Sequence, residues 1–220
     1  MDIPAPVFIG GFIALAIVMM VFAYFADKKR TESLGELAEE MGLAFEKNGN
    51  HLTSEIQSKF DLFSRGRSRK ASNLIYGEAN GTGVWIFDYR YTTGGGKNSK
   101  THRQTVACIA SAELQLPRFS LYREGLFSRL GSMLGMQDID FESHPDFSKQ
   151  YVLKGDNEDA VREVFQENVL SFFEQQDKHL RVEGGGDQLL VYRASRLVKP
   201  EMIKDFFAET FGVYREFLPT

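Results

Sequence analysis

The chain has 220 residues, 43% of them hydrophobic and 25% charged, which is ordinary globular material with enough length for one domain or two small ones. A net charge of -4 argues against a general affinity for nucleic acid. The single cysteine, Cys108, excludes an internal disulfide and a zinc site built from several thiolates.

In chain order, the first element is a run of twenty residues without a charge, VFIGGFIALAIVMMVFAYFA at 7–26. At about 1.5 Å per residue it spans ~30 Å, the thickness of a hydrocarbon core, and predicts a transmembrane helix. A cleaved signal peptide fits poorly, because the residues before the run carry no Lys or Arg and no A-x-A site follows it. Lys28, Lys29 and Arg30 come directly after the run, in a basic juxtamembrane linker at 27–32. By the positive-inside rule the N-terminus is then outside and the bulk of the chain, 33–220, cytoplasmic. Gly10 and Ala14 form a small-xxx-small pair that offers a face for a homodimer or another span.

The spacing of Leu34, Leu37, Ala38 and Met41 predicts a helix over 31–41, with Ser33 and Glu36 as a capping box. Leu52, Ile56 and Phe60 predict a second short helix opening at Thr53 or Ser54. The period then changes to two. In VWIFDYRY, Trp85, Phe87, Tyr89 and Tyr91 face one way and Val84, Ile86, Asp88 and Arg90 the other. The preceding SNLIYGEANGTG supplies a partner strand with a turn at Asn80-Gly81, and HRQTVACIAS and RFSLYR supply two more strands. GLFSRLGSMLG at 125–135 is a short helix at best. A strand at 151–154, a helix at 158–173 capped by Asp156 or Asn157, and a hairpin around Gly184–Gly186 follow. A last helix has Pro200 in its first turn. Hairpins with about four flanking helices, and no strand–helix–strand alternation, predict an α+β fold behind the N-terminal span.

Chemistry is sparser. Gly94-Gly95-Gly96-Lys97 invites comparison with a phosphate-binding loop, but Tyr91 stands where the first glycine is needed and Asn98 where a hydroxyl is needed. A strand also follows in place of a helix, so these glycines read as a hairpin tip. Gly81-Thr82-Gly83 has Ile86 in place of the third glycine of a dinucleotide fingerprint, and no cofactor is expected. Asp138, Asp140, Glu142 and His144 would share one face of an extended segment. Such a set of hard oxygens and an imidazole suits Mg²⁺ or Mn²⁺, the basis of a metal-dependent hydrolase as an alternative function. An amphipathic edge strand with a solvated face accounts for the same pattern.

Residues 59–103 hold nine Lys/Arg against three acids in an otherwise acidic chain. Arg65, Arg67, Arg69 and Lys70, with Lys97 and Lys100, are the candidate contacts for anionic lipid or a protein partner, each basic group adding ~1 kcal/mol near a charged bilayer. No aromatic platform interleaves the cluster, so nucleic acid is not an expected ligand.

LFSRGRSRKASNLIYGE, FDYRYTTGGGKNSKTHRQTV and FESHPDFSKQYVLKG resemble an uncharacterised family of bacterial proteins with one N-terminal span and a cytoplasmic α+β domain. The resemblance implies a bacterial inner membrane and assigns no catalytic residue. The combined expectation is a membrane-tethered interaction domain and not an enzyme, with an accessory subunit of a membrane complex as a further alternative.

Overall fold

The computed structural model describes residues 5–49, 52, 54–79, 81–123, 138–176 and 180–219, and within the first helix it describes side chains from Ala14 onward. The fold is α+β. One antiparallel eight-stranded sheet is formed by β1 (Ala44–Asn48), β2 (Arg67–Ala79), β3 (Thr82–Thr93), β4 (Lys100–Ser111), β5 (Leu116–Arg123), β6 (Tyr151–Gly155), β7 (Arg181–Gly186) and β8 (Gln188–Tyr192). Its order is β1-β2-β3-β4-β8-β7-β5-β6, so β4 joins the two halves by pairing with β8.

The alternation in β3 sorts the two cores. Val84 and Ile86 face a large cluster with the helices α1 (Ala5–Glu40), α4 (Glu158–Val164), α5 (Glu167–Glu174) and α6 (Ile203–Glu216). Phe87, Tyr89 and Tyr91 face a smaller cluster covered by Leu52, which precedes α2 (Ser54–Lys59), and by Ile56, Phe60, Leu62 and Phe63 from α2 and the turn after it. The two glycine runs are hairpin tips. Gly94, Gly96 and Gly186 have φ of 72°, 54° and 64°, values that favour a residue without Cβ. Gly184 has a separate reason, since a Cβ there would lie 2.2 Å from the Phe119 ring.

Several elements differ from the sequence reading. The segment expected as a juxtamembrane linker, 27–32, is helical, and α1 runs unbroken from Ala5 to Glu40. No Gly or Pro interrupts 26–34, so Ser33 and Glu36 sit inside the helix and cap nothing. The helix expected at 158–173 is two helices. Asn157 caps the first, its side chain accepting from the Ala160 amide at 3.1 Å. The break falls at Phe165, whose ring is buried edge-on to Phe119 and Phe217. Strand β1 and helix α3 (Pro145–Gln150) were not anticipated. The expected 125–135 helix and Asn80 of the expected turn lie outside the described residues.

Among the described residues no helix is long and apolar enough to cross a membrane. Of the uncharged run 7–26, side chains are described for 14–26, about 20 Å of helix at 1.5 Å per residue, and the earlier part lies outside them.

Candidate functional site

Asp88 is a carboxylate on the apolar, helix-facing side of β3, between Ile86 and the strand's end, and it is 5% exposed. Burial of a charge demands partners, and α1 supplies the main one. Arg30 donates from Nε to Asp88 Oδ2 and from Nη2 to Oδ1, both at 2.7 Å. Asn73 on β2 donates to Oδ2 at 2.9 Å, and the Thr105 hydroxyl on β4 donates to Oδ1 at 3.1 Å. Arg30 also donates to the Val198 carbonyl at 2.7 Å, tying in the segment that leads to α6. Thr31 donates to Asn73 Oδ1 at 2.9 Å. Arg30, read with Lys28 and Lys29 as part of a basic juxtamembrane linker, is thus an internal anchor, while Lys28 and Lys29 are exposed.

This clamp sets a direction. Asp27 accepts from Arg103 on β4 at 2.8 Å. Arg30 meets Asp88 and Thr105, and Gly35 lies against the Phe45 ring on β1. Phe45 pairs with Ile75, which pairs with Ile86. Going from residue 35 back to 27, the helix therefore passes from the level of Ile86 toward that of Arg90, which pairs with Arg103. Its upstream part heads for the end of the sheet that carries the β3–β4 tip, residues 94–99. On that upstream part lie nine of the ten exposed large apolar side chains among the described residues, from Leu15 to Phe25.

The six basic candidates have different fates. Arg65 points inward: its guanidinium lies 3.6 Å from Glu183, and both side chains are buried. Glu183 also accepts from the Tyr192 hydroxyl at 2.7 Å and the Leu62 amide at 3.1 Å. Arg65 is therefore a core residue and not a surface contact. Arg67 opens β2 and bridges to the tip, donating to the Gly94 carbonyl and, at 2.8 Å, to Ser99 Oγ. Lys97 and Lys100 are exposed on the tip itself. Arg69 lies beside a cleft on the opposite face from α1, whereas Lys70 pairs with Arg90 and shares its face of the sheet.

The acidic segment does not form the expected strand. Asp138 pairs with Lys154 at 3.2 Å. The Asp140 carbonyl accepts from Arg162 at 2.9 Å. Glu142 is exposed, and buried His144 precedes α3 and reaches Glu167 at 3.2 Å. Among the described residues no group of three or more His, Cys, Asp or Glu could hold a metal ion. The four do not share one extended face, because residues 142 and 143 form a turn closed by the His144 amide donating to the Phe141 carbonyl at 3.1 Å.

One pair escaped the sequence reading. Ser195, at φ 57°, has its hydroxyl 2.7 Å from His102 Nδ1. A serine and a histidine in contact can suggest a nucleophile and its base. Here the other ring nitrogen, Nε2, faces the Thr93 hydroxyl at 2.9 Å, so no carboxylate orients or charges the imidazole. The ring stacks on Tyr91 at 4.7 Å, and burial, with Lys100 and Arg181 adding to it, lowers its pKa below the ordinary histidine value. It acts as a neutral bridge between the tip and the Ser195 turn. Cys108 is fully buried, and burial pushes its thiol up to about 12.

No family model matches the chain, and no curated protein matches it. A solved structure, that of the mycobacterial trehalose monomycolate transport factor A, TtfA, is similar with a TM-score of 0.59 at 14% identity. The match covers 87% of this chain and 97% of that one. At that identity the likeness is one of fold.

Proposed function

We propose that the chain is a membrane-tethered interaction domain. Residues 7–26 cross the bilayer as the upstream part of α1, the α+β domain lies on the cytoplasmic side, and the β3–β4 tip meets anionic headgroups through Lys97 and Lys100. The observation that carries the reading is the all-round exposure of apolar side chains on α1. Val18, Met19, Met20 and Val21 are consecutive, so they cover every direction around the helix, and each is about half exposed or more. Water does not tolerate such a surface, whereas lipid does. Lys28 and Lys29 after the run support an outside N-terminus. The Arg30–Asp88 clamp supports the headgroup contact, since it leaves no slack between the helix and the end of the sheet bearing the tip.

Full-length chain in membranes tests this in two steps. It resists alkaline carbonate extraction if the tether spans. In nanodiscs, amide exchange at 94–100 slows when neutral lipid is replaced by anionic lipid, and added salt reverses the effect. Release by carbonate would remove the tether, and lipid-independent exchange would remove the headgroup contact.

A second reading, an accessory subunit of a membrane complex, draws on the fold shared with a protein named as a transport factor. Ala14 is exposed on α1 and available to pack another span, while the Gly10 side of that pair lies outside the described side chains. Photocrosslinking from residue 14 in the native membrane distinguishes a partner protein from lipid alone.

A further inference from the structure

On the α1 face of the sheet, one step beyond Asp88 toward the tip, three cations stand side by side. Lys70 on β2 pairs with Arg90 on β3, and Arg90 pairs with Arg103 on β4. Residues directly opposite in an antiparallel ladder have Cα atoms about 5 Å apart and side chains on one face. Like charges so placed repel, and all three residues are exposed. Arg103 donates to Asp27 at 2.8 Å, whereas neither Lys70 nor Arg90 has an ion pair or side-chain hydrogen bond among the described residues. Two positive charges of the row are thus left unmatched. Thr92 and Thr101, whose Oγ1 atoms lie 3.2 Å apart, continue the same face toward the tip and add neutral donors.

The helix leaves this row open. Arg30, Leu34 and Ala38 mark the side of α1 turned to the sheet. By helical spacing Asp27, Ala26 and Ala23 extend that side upstream, and both alanines are exposed. The helix therefore passes the row with only Asp27 reaching it. The bond from Arg103 to Asp27 also fixes the depth, because Asp27 is the first charged residue after the uncharged run 7–26. A cation row level with the end of an apolar span stands where lipid phosphates lie. Guanidinium groups match phosphate oxygens through paired hydrogen bonds.

We infer that the Lys70–Arg90–Arg103 row binds one anionic phospholipid whose headgroup carries two phosphate charges, seated between the end of the sheet and α1. Two charges match the excess of the row, whereas a headgroup with one leaves half of it in place. The inference rests on the tether, since only a chain held at the bilayer presents the row at phosphate depth. It is separate from the tip contact, which uses Lys97 and Lys100.

The test is native mass spectrometry of full-length chain in uncharged detergent micelles. The probes are cardiolipin, with two phosphates, and phosphatidylglycerol, with one, added at equal total charge. One cardiolipin retained per chain is expected, with phosphatidylglycerol at least roughly tenfold weaker. Lys70→Gln, Arg90→Gln and Arg103→Gln together are expected to weaken cardiolipin at least roughly tenfold, and Arg90→Gln alone, which breaks no contact, by roughly fivefold. Lys97→Gln with Lys100→Gln is expected to leave it unchanged. An unaltered unfolding temperature shows that each variant is folded. Absence of retained cardiolipin, equal retention of the two lipids, or undiminished retention by the triple variant would overturn the inference. Displacement of cardiolipin by equimolar inorganic pyrophosphate would assign the row to a soluble anion and overturn it as well. A chain that resists carbonate extraction yet retains no cardiolipin loses this inference alone, whereas release by carbonate removes the tether.

Discussion

Arg30 and Asp88, 58 residues apart in the chain, meet through two parallel hydrogen bonds of 2.7 Å with both side chains nearly buried. The pair joins the helix that carries the apolar run to the strand that ends in the basic tip. Removing one partner leaves the other as an uncompensated buried charge. Asp88→Asn or Arg30→Met is therefore expected to cost about 3–5 kcal/mol in denaturant unfolding, while the double change to apolar residues recovers most of it. A soluble fragment has to begin upstream of Asp27, because one starting at Thr31 loses the clamp.

Arg65 makes a contrasting case within the basic cluster. Its charge is matched to Glu183 inside the smaller core, so Glu183→Gln is expected to destabilise the fold by about 3 kcal/mol. Arg65→Ala is expected to lower the unfolding midpoint without altering the amide-exchange response of the tip to anionic lipid. A loss of that response at unchanged stability would make Arg65 a surface contact after all.

His102 links stability to pH. Its folded pKa is lowered, chiefly by burial, so the unfolded chain takes up the proton first as pH falls. Its contribution is full above the unfolded value of about 6.5 and is lost as pH drops through it toward the folded value. Urea unfolding from about pH 7.5 to about pH 5 is expected to show this loss, and His102→Asn to flatten that part of the profile.

Cys108 is expected to stay unmodified by maleimide in the native state at neutral pH and to react once the chain is unfolded. Burial both blocks access and suppresses the thiolate, with the pKa near 12. Labelling followed by intact mass measurement in native buffer and in denaturant checks it.

The sheet was largely legible, because alternation in 84–91 separates two faces whatever packs on them. The glycine tips were legible for the same local reason. What the sequence concealed is which charges turn inward. Arg30 follows Lys28 and Lys29, and Arg65 precedes Arg67 and Arg69, with nothing local to distinguish them. The available hint was Asp88, a carboxylate on the same strand face as Val84 and Ile86, which calls for a cation from elsewhere. The break at Phe165 was invisible because no Gly or Pro marks it and aromatic packing imposes it. The cleft needed the placement of α2 over β3, a contact between segments remote in the chain.

The central claim is that the clamp aims the β3–β4 tip at the membrane. Strand β4 separates that tip from Glu113 by about 35–40 Å. With Cys108 buried, single fluorophores can be attached at Lys97→Cys or Glu113→Cys in full-length chain reconstituted with headgroup-quenching lipid. Strong quenching at position 97 and little at 113 is the expected result. Equal quenching at both positions, or stronger quenching at 113, would contradict it.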